Sequence, residues 1–460
     1  MGRQTNRRGL LKAAALPAAG WVILRDSRSA RGFPANEKLD VAVVGVGRRG
    51  GHFVRLIPRL GQNLAAVCDV NRRRAAESFR SLAKVPKYQD FRKMLDQMDR
   101  RIDAVVVATP DHTHAVIAAT AMKRGKHVYV EKPIAHDVSE ARALRRIAKE
   151  HKVATQMGNQ GMAADSFRRI LELVRQGAVG EIREAHVWYV FGGSGPRPRP
   201  KDTPAVPKHL DWDLWLGPAP FRAFHPSYVT GWGAWRDFGT GCLGGGGSHS
   251  INMTFKALDL RALWEPAGKA KGKIRVEAKI PEPCGENYPR WQTLRFDVPA
   301  RGPQPPARIY WYNALEPQLR RLGIWQRLEK IAGRPLDWKQ GWTPRSGSLL
   351  VGSKGVVHTN AHNSLCALLP ESKFPGGGGR PKTLPHVAGH EQEWLAACKG
   401  GAAPLSNFDH SGPAIELVLL GNVATLVGEP VEFDPAACKI AGNAKADQAL
   451  RPPRRKGWAM

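Results

Sequence analysis

Residues 39–50, LDVAVVGVGRRG, set a near-continuous apolar run directly before Gly45-x-Gly47-x-x-Gly50, and a helical apolar pattern (Phe53, Val54, Ile57, Leu60) directly after it. Few folds accommodate that order. A run without polar alternation is what a parallel strand buried on both faces requires. The glycines permit a tight turn whose backbone N–H groups reach a pyrophosphate at the following helix N-terminus. The spacing alone is weak, but in strand–turn–helix context it predicts a dinucleotide site at Gly45, Gly47, Arg48, Arg49 and Gly50.

The next apolar run, 64–68, ends in Asp69, twenty-four residues after Gly45. A carboxylate there accepts both ribose hydroxyls and repels a 2′-phosphate, so NAD is expected over NADP. Arg72, Arg73 and Arg74 lie close enough to weaken that preference. Further apolar runs at 104–108, 127–130 and 153–157 alternate with helical segments, one of which Ser139 is expected to cap. Six alternations predict a doubly wound α/β Rossmann domain over residues 38–160. Ligands of such sheets sit at the strands' carboxyl ends. Thr109, Pro110, His112, His114, Glu131, Lys132 and Asn159 all fall there and complete the expected cofactor-binding set.

With 460 residues the chain exceeds one compact core, and a second α/β domain is expected over 161–435, with 436–460 as a C-terminal tail. Segments 184–191, 273–276, 291–298 and 307–312 read as strands, and 165–176, 390–399 and 412–428 as helices. Gly-rich stretches at 192–195, 244–247 and 376–379 read as breaks. Trp232 and Trp235 are candidates for stacking on a sugar face, Trp212 and Trp215 weaker ones.

Seventy Lys+Arg against 40 Asp+Glu give a net charge of +30. Such a balance admits anionic partners. The basic residues are scattered in short runs without interleaved aromatics, so no nucleic-acid partner is expected. Six cysteines and 15 histidines show no metal-ligand spacing, and no metal is expected. Arg7-Arg8-Gly9-Leu10-Leu11-Lys12 precedes a twelve-residue apolar stretch, far short of the roughly 20 residues that span a bilayer. Residues 1–30 therefore resemble a twin-arginine export signal, a receptor-read address and not a stable anchor, and the expected location is periplasmic or otherwise extracytoplasmic.

ATPDHTH (108–114), VYVEKP (128–133) and QMGNQG (156–161) behind the Gly-rich strand resemble the glucose–fructose oxidoreductase / inositol dehydrogenase (Gfo/Idh/MocA) family. LDWDLWLGPAP (210–220), WRDFGTG (235–241), SNFDHSGP (406–413) and RKGW (455–458) resemble its exported branch. The resemblance implies a second domain with a large open, mostly antiparallel sheet, a homo-oligomer (dimer or tetramer), and a carbohydrate or cyclitol substrate. It also implies a catalytic lysine at Lys132 and a base at His249, with Asp237 and His249 beside Trp232 and Trp235 at the substrate. The family's Asp, four residues before that His, is replaced here by Gly245. One helical turn separates the two positions, so an Asp there would share a face with His249.

Three readings follow. The first is an NAD-dependent oxidoreductase acting on a hydroxyl or keto group of a sugar, cyclitol or glycoside. The second is a redox-assisted glycoside hydrolase or lyase. The third is a catalytically weakened sugar-binding homologue, motivated by Gly245.

Overall fold

The computed structural model describes residues 37–265, 272–338 and 343–460; the export signal expected at 1–30 lies outside them. The apolar runs of the first part form β1 (Asp40–Val44), β2 (Asn63–Cys68), β3 (Lys87–Tyr88), β4 (Ala104–Val107), β5 (His127–Val130) and β6 (Thr155–Met157). They pair in the order β3-β2-β1-β4-β5-β6, every pair parallel. All four residues of β4 are buried, as its unbroken Ala-Val-Val-Val requires of a strand covered on both faces. Strand order reverses between β1 and β4, which opens a crevice at their carboxyl ends.

The second sheet holds β7 (Ile182–Val190), β8 (Ile274–Lys279), β9 (Gln292–Val298), β10 (Ala307–Ala314), β11 (Gly347–Gly352), β12 (Val356–Asn360), β13 (Cys366–Leu369), β14 (Val431–Asp434) and β15 (Lys439–Ile440). Their order is β13-β12-β11-β7-β10-β9-β8-β14-β15. β10 pairs parallel with β7, and the other pairs are antiparallel. β9 alternates buried and half-buried residues along its length, so one face joins the core. Leu294, Phe296 and Val298 form that face, while Arg295 and Asp297 form ion pairs with Glu277 and Arg308 on the other.

The helix Phe408–Val427 joins the two sheets. It packs on helix Val138–His151 of the first domain, and on β8 and helix Ser248–Ala257 of the second. Arg142 donates to Glu416 Oε1 at 3.0 Å across that junction. The helix is long and apolar enough to cross a membrane, yet 89% of its apolar window is buried inside the protein. Its hydrophobicity is spent on the domain junction.

Three local expectations are corrected. Asp137, not Ser139, caps helix Val138–His151, its carboxylate accepting from Glu140 N at 2.9 Å. The Asp137 carboxylate lies two residues earlier, and Ser139 Oγ donates to it. Residues 244–247 are no flexible break: Leu243–Gly247 is one π-helical turn running straight into Ser248–Ala257. Packing explains two of those glycines, because a Cβ on Gly244 would sit 2.0 Å from Thr240 Oγ1 and one on Gly246 2.9 Å from the Tyr189 ring. Residues 436–460 are also more than a tail. They add β15 to the second sheet and a helix, Ala444–Ala449.

Candidate active site

Between the domains, at the carboxyl ends of β1, β2 and β4, lies a cleft of about 320 Å³. Gly45, Gly47, Arg48 and Arg49 form its floor. Gly45 has φ +80°, and a Cβ there would sit 2.7 Å from Ala108 O. A Cβ on Gly50 would sit 1.6 Å from Gly45 O, so Gly50 lies under the turn and supports it without lining the cleft. The turn needs bare backbone at both positions.

Asp69 faces this turn from the end of β2. Its Oδ2 accepts from Val46 N at 2.9 Å and its Oδ1 from Asn71 N at 2.8 Å. Burial pushes its carboxyl up from the ordinary Asp range, opposed by those backbone bonds. Each oxygen keeps a further lone pair for a ribose hydroxyl. Arg74, one of the arginines expected near Asp69, lines the cleft alongside it, as does Gln89, which no motif singled out.

The opposite wall comes from β4 and β5. Thr109, Pro110 and His114 line the cleft. The His114 ring is fixed between Pro133 O at 2.7 Å and Thr109 O at 2.8 Å. His112 does not line it. Its ring nitrogens lie 3.1 and 2.9 Å from the carbonyls of Phe238 and Trp215, so this residue pins the second domain to the first. Burial drives its pKa down to about 3. Asp111 serves the same junction, its Oδ2 accepting from Thr240 N and Oγ1 at 3.0 and 2.6 Å.

Glu131 and Lys132 follow β5 and both line the cleft. The Glu131 carboxylate accepts from Arg49 Nε at 2.6 Å, so these two predicted cofactor residues also hold each other. Asn159 is buried away from the cleft lining. Its Nδ2 donates to Asn252 Oδ1 at 2.9 Å, and its Oδ1 has no partner among the described residues.

His249 lies 8% exposed on helix Ser248–Ala257, with a buried Nδ1 that has no partner among the described residues. Its ring centroid is 4.4 Å from that of His362, a neighbour with no sequence signal. Burial, and then the charges of Lys132 and His362, hold its pKa well below 6.5. The imidazole is therefore neutral and able to take a proton. A Cβ on Gly245 would meet Lys132 Nζ at 3.9 Å and nothing else within 4 Å. A carboxylate grafted there faces the lysine first, contrary to the expected approach to His249.

Of the predicted substrate residues, Trp232 lines the cleft. Trp235 does not offer a face: it is 2% exposed, packed edge-on by Tyr228 with Arg222 over its ring. Aromatic mass was better used there as core. Trp212 and Trp215 stack on each other at 4.8 Å. Asp237 is held by Arg222, whose Nε donates to it at 2.6 Å. Trp458, noted in sequence only as the end of RKGW, lines the cleft from the C-terminal segment.

The residues fit a dinucleotide. The bare-backbone turn forms a cradle that side chains would fill, and Asp69 stands where a ribose would lie. Fold and site thus define a two-domain, dinucleotide-binding α/β protein. Residues 39–159 match the oxidoreductase family model with the NAD-binding Rossmann fold, and 191–259 match that family's C-terminal alpha/beta domain. The two matched segments are those of the Gfo/Idh/MocA NAD-binding and C-terminal models, and the cofactor is NAD.

Among curated relatives, a glycosyl hydrolase family 109 protein of Shewanella pealeana is 30% identical over 212 residues, covering 40% of this chain and 46% of that protein. An alpha-N-acetylgalactosaminidase of Shewanella oneidensis is 29% identical over 168 residues, covering 34% of this chain and 36% of that protein. The match thus spans less than half the length of these relatives. Among solved structures, the WlbA dehydrogenase of Chromobacterium violaceum, in complex with NADH and UDP-GlcNAcA, superposes with TM-score 0.57 at 15% identity, covering 88% of this chain and 98% of that one. An aldose-aldose oxidoreductase of Caulobacter crescentus gives 0.51 at 16% identity, covering 86% and 100%. These likenesses concern the fold.

Proposed function

We propose that this protein is an NAD-dependent oxidoreductase acting on a hydroxyl or keto group of a sugar, cyclitol or glycoside. The observation that carries the reading is Lys132, which lines the dinucleotide cleft and whose charge acts on the buried, neutral His249. NAD, when bound, supplies the hydride acceptor. His249 takes the hydroxyl proton through a free ring nitrogen. Lys132 donates to the substrate oxygen as negative charge grows on it. Asp69 favours NAD over NADP by accepting from the ribose.

The test is the appearance of reduced nicotinamide when purified protein, NAD and a panel of sugars and cyclitols are mixed. His249→Ala is expected to remove turnover while leaving NAD affinity in calorimetry, and Lys132→Met is expected to remove turnover as well. Full activity in either variant overturns the assignment. Asp69→Ala is expected to bring NAD and NADP affinities together.

The names of the curated relatives favour a second reading, an NAD-dependent glycosidase. It predicts cleavage of aryl glycosides with no net NADH, because the cofactor is restored in each turnover. Ligand-induced stabilisation without turnover would mark a binding homologue instead. We also propose that the protein works as a homo-oligomer, to be read by light scattering, and that Arg7 and Arg8 direct export of the folded chain. Replacing both with Lys is expected to leave it in the cytoplasm; unchanged export refutes that part.

A further inference from the structure

Lys132 is a cation without a counter-ion. Its backbone N–H faces Glu131, but its ammonium makes no ion pair or hydrogen bond among the described residues. The carboxylates of this region are engaged elsewhere. Glu131 is held by Arg49, Asp111 by Thr240 and Asp237 by Arg222. The Lys132 charge acts on the imidazoles of His249 and His362, whose rings lie 4.4 Å apart. Opposite it, Gly245 contributes no side chain, and only Lys132 Nζ lies within 4 Å of where a Cβ would be. A half-buried charge in a cleft is stabilised by one matching anion, and a carboxylate accepts strong hydrogen bonds from ammonium and imidazole N–H together. The net charge of +30 draws anions to the surface in addition.

We propose that the substrate of this site carries a carboxylate, as a uronate does, and that this group seats on Lys132 in the space beside Gly245. The inference rests on the oxidoreductase reading and names its substrate class. The sugar's own carboxylate then supplies the negative charge that the chain does not place on the Gly245 side of Lys132, and the ammonium's remaining N–H donors hold the reacting oxygen. Gly245 is the residue that selects for it, because any acidic side chain there would take the lysine first.

Calorimetry on the NAD-loaded protein tests this, with D-glucuronate and D-galacturonate against D-glucose and D-galactose. The uronates are expected to bind about 10- to 100-fold tighter, the range for one charge-assisted hydrogen bond. Gly245→Asp is expected to erase that difference while NAD affinity and Tm stay close to those of the parent. Gly245→Ala, whose methyl meets only the lysine tip, is the variant to use should the Asp form fold poorly, and is expected to weaken uronates more than hexoses. Equal affinity for both classes in the parent overturns the inference, and so does a uronate preference that survives both substitutions. Hexoses that reduce NAD while uronates do not would sink the carboxylate and leave the oxidoreductase reading standing. Uronates that bind without reducing NAD would do the reverse.

Discussion

The guanidinium of Arg92 lies 4.4 Å from the ring centroid of Trp458, a contact between the first domain and the third residue from the C-terminus. Phe91 meets the same indole at 6.2 Å, and both Phe91 and Trp458 line the cofactor cleft. The terminal segment is anchored on both domains: Arg454 Nη2 lies 3.2 Å from Asp137 Oδ2, and Arg455 Nη1 lies 2.6 Å from Asp213 Oδ1. It thereby forms an outer wall for the site.

If that wall contacts the cofactor, Trp458→Ala removes an aromatic face worth about 1–3 kcal/mol of stacking. NAD affinity is expected to fall about tenfold or more, read by quenching of intrinsic fluorescence against a Trp458→Phe control that retains most of it. An unchanged dissociation constant in the Ala variant would reduce the segment to a structural strap.

A buried base with a depressed pKa works at lower pH than a free imidazole does. Burial and the neighbouring Lys132 and His362 lower that of His249 well below 6.5. The neutral, proton-accepting form therefore persists as pH falls through 6.5, and kcat/KM is expected to stay level there and drop only further into acid. An acid limb centred at or above about 6.5, the free-imidazole value, contradicts the role.

Glu172 offers a stability prediction away from the site. Desolvation would raise its carboxyl, but bonds from Lys382 N, Leu384 N, Thr383 N and the Thr383 hydroxyl outweigh it and bring the pKa down to about 2. A folded pKa below the unfolded one contributes stability above about pH 4.5, and that contribution is lost as pH falls toward 2. Glu172→Gln should lower Tm clearly at pH 7, and the gap to the parent should narrow in thermal melts run below pH 4.5. A gap independent of pH would mean the bonds matter only for shape.

The two tryptophans predicted together should separate. Trp232→Ala is expected to raise KM for the sugar with little change in Tm, since its ring borders the cleft. Trp235→Ala should instead cost about 3–5 kcal/mol of stability, as buried aromatic truncations do. Steady-state kinetics and denaturant melts on both variants decide it; the opposite pattern would reverse the assignment.

The alternation of apolar runs and helices, the bare-backbone turn at Gly45 and the position of Asp69 were all determined by local sequence. Each depends on contiguous residues: a run of β-branched side chains that suits only a doubly covered strand, or glycines at a fixed spacing. Tertiary structure alone decided which residues meet across the chain. The indole of Trp235 and that of Trp232 look alike in sequence, yet one is enclosed by Tyr228 and Arg222 and the other faces the cleft. The glycines at 244–247 read as a flexible break because their spacing cannot reveal that Thr240 and Tyr189 occupy the volume beside Gly244 and Gly246. His362 and Trp458 reach the site from over a hundred and over two hundred residues beyond His249, respectively, brought there by sheet register and by a chain end that folds back. Burial, counter-charges and empty volume are properties of such long-range packing, so local periodicity carries no trace of the lone ammonium of Lys132 facing Gly245.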